Sequence, residues 1–168
     1  VFASGFSDIS AEYSYREAID VLSSFDIVQG NEDGTFAPDT AVTRAEFAAL
    51  VIRAADMEEA LGSVSGNRFS DIAEHWAEDY INLAAQLGYM NGHPDGTFAP
   101  DDAVTYEQVL KVLVIITGYQ VAAEDRGGYP SGYFSIASQN GITKRTQVQD
   151  KQALCRGEVA QLLYDAMQ

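Results

Sequence analysis

Apolar side chains recur at helical spacing along most of the chain. Between residues 11 and 25 they are Ala11, Tyr15, Ala18, Ile19, Leu22 and Phe25, three or four positions apart. Three further stripes run through Phe47, Leu50, Val51 and Ala54, through Val109, Val112, Leu113 and Ile116, and through Val159, Leu162 and Leu163. The pattern predicts an all-α fold, with helices over 11–25, 74–87, 107–117 and 156–167 and another beginning at Thr43.

Turn-forming residues separate these stripes. Asp33-Gly34 suits a tight turn that needs a positive φ at glycine, and Pro38-Asp39 prevents a helix from continuing. Pro130 stands where a third-unit helix is expected to start, a position that tolerates proline. Residues 118–128 are predicted to form a flexible linker.

The chain repeats itself. Residues 93–107 read HPDGTFAPDDAVTYE and repeat most of residues 31–47, with 62 positions both from Gly34 to Gly96 and from Thr43 to Thr105. A third copy keeps Asn140-Gly141-Ile142 and residues 155–159 but lacks the GTFAPD loop. A unit of this length cannot bury its apolar face alone, so neighbouring units must pack together. We predict one module over 1–168, with repeats at about 5–62, 68–122 and 127–168 around a pseudo-threefold axis.

These motifs give the chain a family resemblance. The Phe-Ser-Asp opening of a unit, followed by DGTFAPD and V-T-R-A-E-F, resembles the S-layer homology repeat, which usually occurs in threes on bacterial surface proteins. The resemblance implies a non-catalytic module without cofactor, located outside the cell at the bacterial wall. Such a module holds its protein there by binding an anionic, often pyruvylated, wall polysaccharide in grooves between units. The candidate glycan contacts are Arg44, Arg156, Trp76, Tyr129, Tyr106, Asp71 and Asp8.

Each long helix is preceded by a capping pattern. Thr43 and Glu46 fit a capping box, in which the hydroxyl accepts from the N3 amide and the N3 carboxylate reaches back to the N-cap amide. Thr105 with Gln108 and Cys155 with Glu158 occupy the same positions, and Asp71 with Glu74 forms another capping pattern. The predicted helix caps beside the glycan site are therefore Thr43, Glu46, Thr105 and Glu158. Cys155 is interpreted as a weak cap or small filler rather than a nucleophile, because no activating partner is evident.

The arginine after the first cap has two interpretations. A cation at the first helical position opposes the helix dipole, so Arg44 either grips an anionic ligand or pairs on the surface with Asp39 or Glu46. The family resemblance favours the ligand, and removal of Arg44 is then expected to leave stability nearly unchanged. Arg156 keeps the position in unit three. Tyr106 replaces the arginine in unit two, so that site is expected to bind weakly or not at all.

Two aromatic residues occupy matching places in units two and three. Trp76 and Tyr129 lie at the predicted start of the first helix of their units. An aromatic residue on an apolar helix ordinarily belongs to the core. The alternative is a flat surface with a polar edge, which suits the face of a sugar ring.

Charge narrows the range of partners. The 10 basic and 25 acidic residues give a net charge of −15, which argues against nucleic acid and anionic membranes. The single cysteine excludes an intrachain disulfide, and no run of 18 apolar residues predicts a bilayer span. The chain opens at Val1 without an initiator Met, so any signal peptide is expected upstream or removed.

Three other functions are alternatives to the anchoring module. An enzyme lacks support because no nucleophile elbow, zinc motif or phosphate loop is present. A calcium loop around Gly34 would place Gln29 and Thr40 where Asp and a bidentate Glu are needed, so no metal site is predicted. A degenerate copy that serves self-association or binding of another surface protein is the remaining alternative, because unit two lacks the arginine and unit three the loop.

Overall fold

Seven α-helices make up the fold of the computed structural model, which describes residues 5–168. They are α1 (Arg16–Ser24), α2 (Arg44–Ala54), α3 (Glu78–Gln86), α4 (Tyr106–Ile116), α5 (Gln120–Asp125), α6 (Ser131–Gln139) and α7 (Arg156–Ala166), with a 3-10 turn at Glu58–Ala60. Over residues 5–168, extended pairing is limited to three isolated bridges. The predicted all-α class is confirmed. The expectation that any signal peptide lies upstream or has been removed concerns the chain start, and residues 1–4 lie outside the described part.

The three long helices start where the sequence predicts. α2, α4 and α7 each have 11 residues, and Thr43, Thr105 and Cys155 are their N-caps. Their apolar faces form the core of the molecule, with Phe47, Leu110 and Leu162 completely buried. Among the helices that the structure describes, none is long and apolar enough to cross a bilayer.

Packing between units is cyclic. α2 packs against α3, α4 against α6 and α7 against α1, so each long helix contacts the first helix of the following unit. The contact between α1 and α7 joins the two ends of the described chain and closes the ring. Units that each leave an apolar face exposed therefore cover one another in order.

A triangle of backbone hydrogen bonds lies where the units meet. The Val42 amide donates to the Leu154 carbonyl at 3.0 Å, the Leu154 amide to the Val104 carbonyl at 3.2 Å, and the Val104 amide to the Val42 carbonyl at 2.8 Å. All three residues are buried. The bridges Ala41–Cys155, Thr43–Ala103 and Thr105–Ala153 flank the triangle. The three helix starts are thereby arranged about a pseudo-threefold axis.

The first helices of units one and two begin later than predicted. α1 starts at Arg16 rather than near residue 11, because residues before it form turns, including a bond from the Tyr13 amide to the Ser10 carbonyl. α3 starts at Glu78 rather than at Glu74, whose φ of 61° lies in the left-handed region and excludes it from a helix. The predicted capping by Asp71 and Glu74 is therefore wrong.

The predicted linker at 118–128 contains a packed helix instead. α5 covers Gln120–Asp125 and packs against α6, with Ala123 completely buried between them. The close approach depends on Gly132, because a Cβ at that position would overlap the Ala123 carbonyl oxygen. Sequence patterning missed α5 because a six-residue helix is too short to show a helical period.

We expect Gly132→Ala to destabilise the domain. Alanine favours a helix over glycine by about 1 kcal/mol. The overlap with the Ala123 carbonyl should outweigh that gain, so we expect a net loss of roughly 1–3 kcal/mol in the free energy of unfolding. Urea denaturation measures the change, and Ser135→Ala, at an exposed position of the same helix, is the control. A Gly132→Ala variant more stable than Ser135→Ala would show that α5 is loosely attached.

Candidate functional site

Two equivalent loops are held in place by aspartates. Asp8 accepts hydrogen bonds from the amides of Phe36 and Ala37, both at 2.8 Å, and Asp71 accepts from those of Phe98 and Ala99 at the same distances. The bonds hold Ala37 and Ala99 in the left-handed region, at φ 55° and 56°. Both carboxylate oxygens of Asp8 and Asp71 are occupied in this way, so the two residues are better described as loop anchors than as glycan contacts.

The pKa of Asp71 reports the same hydrogen bonds. Partial burial alone would raise the pKa of this carboxyl, but the amides of Phe98 and Ala99 outweigh burial and lower it below its usual value of 3.8. Asp8 behaves in the same way through Phe36 and Ala37. The loops are thus held more firmly when the aspartates are ionised.

Each retained arginine crosses from one unit to the loop of another. Arg156 donates from Nε to the Phe36 carbonyl at 2.8 Å and from Nη2 to the Gln29 carbonyl at 2.6 Å. Its guanidinium carbon lies 4.4 Å from the centre of the Phe36 ring. The side chain therefore joins unit three to unit one.

Arg44 repeats this arrangement between units one and two. Its Nε donates to the Phe98 carbonyl at 2.9 Å and its Nη2 to the Asn91 carbonyl at 2.8 Å, with the guanidinium 4.4 Å from the Phe98 ring. The residue is only 4% exposed. The surface ion pair with Asp39 or Glu46 is therefore wrong for Arg44. The expectation that its removal would leave stability unchanged is reversed, because a buried hydrogen bond to Phe98 and a part-buried one to Asn91 depend on it.

Burial lowers the pKa of both arginines, and nearby carboxylates oppose that effect. Asp102 and Asp71 act on Arg44, and Glu46 and Asp8 act on Arg156. Arg156 Nη1 lies 3.8 Å from Glu46 Oε2. Each guanidinium is therefore a partly desolvated positive charge fixed in one orientation.

Two cavities lie beside these arginines, and all three units contribute to each. Groove one, of about 240 Å³, is lined by Gln29, Gly30, Glu46, Ala49, Leu50, Arg53, Trp76 and Arg156. Groove two, of about 180 Å³, is lined by Arg44, Tyr89, Met90, Asn91, Gly92, His93, Gln108, Lys111, Val112 and Tyr129. Both volumes are below the roughly 300–1,000 Å³ typical of drug-sized ligands, so each suits a unit about as large as one sugar.

An exposed aromatic ring borders each groove. Trp76 is 60% exposed and Tyr129 is 48% exposed, and each precedes the first helix of its unit by two residues. The core interpretation of Trp76 is therefore wrong. Tyr129 is further oriented by a hydrogen bond of 3.2 Å from its hydroxyl to Glu107 Oε2. An open aromatic face beside a fixed cation is an arrangement that suits an acidic sugar.

The structure adds two cations that sequence analysis missed. Arg53 contributes to groove one and lies 5.4 Å from the Tyr80 ring, while Lys111 contributes to groove two with Nζ 5.5 Å from the Tyr129 ring. Lys111 aligns with Ala49 in the repeat, and Arg53 aligns with Ile115. The comparison of repeats could not find them because neither cation recurs.

The third position of the ring is filled by the protein itself. Tyr106, which replaces the arginine, is 8% exposed and stacks on Phe134 with ring centres 5.7 Å apart. Tyr13 lies against the start of α7, where a Cβ at Gly157 would overlap its hydroxyl. Tyr106 is thus a packing residue, and the structure offers no reason to retain it as a glycan contact.

The caps of the long helices follow the sequence with one change. Thr105 and Cys155 form capping boxes, with their amides donating to Gln108 at 3.2 Å and to Glu158 at 3.0 Å. The Thr43 hydroxyl accepts from the Glu46 amide at 3.1 Å, but the Glu46 carboxylate accepts from that hydroxyl rather than from the Thr43 amide. Glu46 is turned in this way beside Arg156.

The thiol of Cys155 is kept neutral. Burial, followed by its hydrogen bond with Glu158, raises the pKa of Cys155 to about 11. A thiol with this pKa is almost entirely protonated near neutral pH, which agrees with capping and not with nucleophilic chemistry.

Comparison with known families shows which family this fold belongs to. A family model described as the S-layer homology domain matches residues 5–48 and 68–110, about half of the chain. The chain belongs to the S-layer homology family. The match covers the units that keep the GTFAPD loop, and the third unit of this S-layer homology domain lies outside it. The family confirms the anchoring class of function and the cell-surface location that the sequence indicated.

Several relatives are named for the cell surface, the cell wall or anchoring. The chain is 36% identical over 119 residues to the cell surface glycoprotein 1 of Acetivibrio thermocellus, covering 66% of this chain and 5% of that protein. It is 30% identical over 148 residues to the middle cell wall protein of Brevibacillus brevis, covering 87% and 14%. It is 34% identical over 113 residues to the cellulosome-anchoring protein of A. thermocellus, covering 64% and 25%. The chain thus spans a quarter or less of these relatives.

We expect Arg44→Ala to destabilise the S-layer homology domain. Loss of the guanidinium leaves the carbonyls of Phe98 and Asn91 without their partner, at a cost of about 3 kcal/mol, or roughly 6–12 °C in Tm. Thermal unfolding measures this change, with Arg126→Ala as the control at an exposed arginine. Equal Tm values for the two variants would return Arg44 to a surface role.

Acid should weaken the loop anchors. Because the folded pKa of Asp71 is lowered, its stabilising contribution is complete above the usual value of 3.8 and is lost as pH falls through the folded value. We expect Asp71→Asn to lower Tm at pH 7 by roughly 2–4 °C and to flatten the decline in stability below pH 4. Scans from pH 2 to 7 test this, with the exposed Asp79→Asn as the control. An unchanged acid limb in Asp71→Asn would contradict the anchoring role.

Proposed function

We propose that this S-layer homology domain attaches its protein to the bacterial wall by binding an anionic, pyruvylated wall polysaccharide in grooves one and two. The observation that carries the proposal is the recurrence of one arrangement in two places. A guanidinium that donates to two backbone carbonyls and an exposed aromatic ring line the same cavity, which is about as large as one sugar.

The fixed guanidinium favours a carboxylate. Nε and Nη2 of Arg156 are already bonded to the carbonyls of Phe36 and Gln29, so its direction is set before a ligand arrives. Little side-chain entropy is then lost on binding. A pyruvyl ketal presents a carboxylate on a sugar ring, which matches a cation beside an aromatic face.

Binding must be short-ranged. A net charge of −15 repels an anionic polymer at a distance, and salt screens that repulsion beyond about 8–10 Å. Within the grooves the local charge is positive, because Arg156 and Arg53 outnumber Glu46 in groove one and Arg44 and Lys111 line groove two without an acidic residue. The repulsion outside and the attraction inside favour a ligand with anionic groups at intervals, each seated in a groove.

No step of this function requires catalysis by residues 5–168. The relatives named for the cell surface, the cell wall and cellulosome anchoring are far longer than this chain, which matches 5%, 14% and 25% of their length. We therefore propose that this segment anchors its protein to the wall. The alternative function is self-association or binding of another surface protein, and the following experiment distinguishes the two.

Removal of the ring in groove one should reduce binding without unfolding. Trp76→Ala is expected to weaken sedimentation with purified wall polysaccharide about five- to thirtyfold, because stacking of one aromatic ring on a sugar is worth roughly 1–2 kcal/mol. Phe25→Ala removes a ring that is 70% exposed and lies outside both grooves, and it should bind as the parent does. Circular dichroism should show equal Tm values for both variants.

Two further outcomes distinguish glycan binding from the alternative function of self-association. If both variants keep full binding to the polysaccharide, or if the parent does not sediment with it, the grooves are not glycan sites. Concentration-dependent self-association of the parent in analytical ultracentrifugation, without any binding to polysaccharide, would support the assembly module instead.

A further inference from the structure

The two grooves are not equivalent in charge. In groove one each cation has a nearby carboxylate, with Arg156 Nη1 3.8 Å from Glu46 Oε2 and Arg53 Nε 3.5 Å from Glu58 Oε1. In groove two, Gln108 stands at the position of Glu46 and turns its oxygen to the Thr105 amide at 3.2 Å. Among the described residues that line groove two, none is acidic.

We propose that Lys111 makes groove two selective for a glycan unit with two negative groups, whereas groove one gains nothing from a second negative group. The inference rests on the proposed glycan function and assigns a different ligand preference to each groove. Arg44 and Lys111 line the same cavity of about 180 Å³, so one sugar can meet both cations.

The setting of Lys111 supports a direct role. Its Nζ lies 5.5 Å from the centre of the Tyr129 ring, so the ammonium and the aromatic ring border the same part of groove two. Burial lowers the pKa of Lys111, and Glu124 opposes this shift. Glu124 does not line groove two, and its Oε1 accepts a hydrogen bond of 2.6 Å from the Tyr133 hydroxyl.

Other charges around groove two have defined positions. Asp102 and Asp71 both act on Arg44, but neither lines groove two, and among the described interactions neither makes a short contact with its guanidinium. Glu107 accepts from the Tyr129 hydroxyl on the exposed rim, where solvent screens its charge. The charged side chains that line the cavity, Arg44 and Lys111, are therefore both cationic.

The test compares two sugars that differ by one charge. Methyl galactopyranoside carrying a 3,4-linked pyruvyl ketal has one carboxylate, and the corresponding galacturonoside has two on the same ring. Calorimetry is performed with Trp76→Ala, which leaves groove two intact, and with Tyr129→Ala, which leaves groove one intact. Trp76 is the single tryptophan, so its fluorescence in the parent reports groove one independently.

In the Trp76→Ala protein, the sugar with two carboxylates should bind about tenfold more tightly than the sugar with one. Adding Lys111→Gln should reduce that ratio to about one, and Lys111→Arg should retain most of it. In the Tyr129→Ala protein, and by Trp76 fluorescence in the parent, the second carboxylate should give no gain.

Each other result decides against the inference. A ratio that Lys111→Gln leaves unchanged, or an equal preference in both grooves, would overturn the selectivity while leaving glycan anchoring intact. The same holds if neither sugar binds but purified wall polysaccharide does, since groove two would then recognise another feature. Failure of the parent to bind the polysaccharide as well would overturn the proposed function itself.

Discussion

The closed triangle of backbone hydrogen bonds among Val42, Val104 and Leu154 is the constraint on which the rest of the fold depends. Each of these residues immediately precedes an N-cap, so the triangle fixes the three helix starts relative to one another. A buried amide or carbonyl without a partner costs about 1–3 kcal/mol, so loss of one unit would leave unpaired groups on the other two. The three units therefore form one cooperative structure and not three independently folding domains.

The same constraint explains why the arginines are where they are. Once the helix starts are fixed, the first residue of α2 lies beneath the loop of unit two, and the first residue of α7 lies beneath the loop of unit one. Backbone carbonyls of these loops point toward that residue, and a planar guanidinium can satisfy two of them together. The unfavourable interaction of a cation with the helix dipole is smaller than the benefit of pairing buried carbonyls.

Sequence analysis succeeded where the signal is local and repeated. The stripes behind Thr43 and Thr105 are long enough to show a helical period, and their caps are encoded within four residues. The exposure of Trp76 could not be decided between core and surface, because exposure depends on which helix covers a position. The structural role of Arg44 was missed, because the carbonyls that it bonds are about 50 residues away in sequence. Arg53 and Lys111 escaped notice because each occurs in only one repeat.

Each groove is assembled from all three units. Groove one takes its guanidinium from unit three and its ring from unit two, and groove two takes Arg44 from unit one and Tyr129 from unit three. The unit with the most eroded sequence is thus indispensable to both open grooves. The departures from the motif, the missing loop and Tyr106 in place of arginine, both lie at the closed position. A poor match to the family motif therefore does not mark a unit as expendable, because its side chains complete cavities that belong to its neighbours.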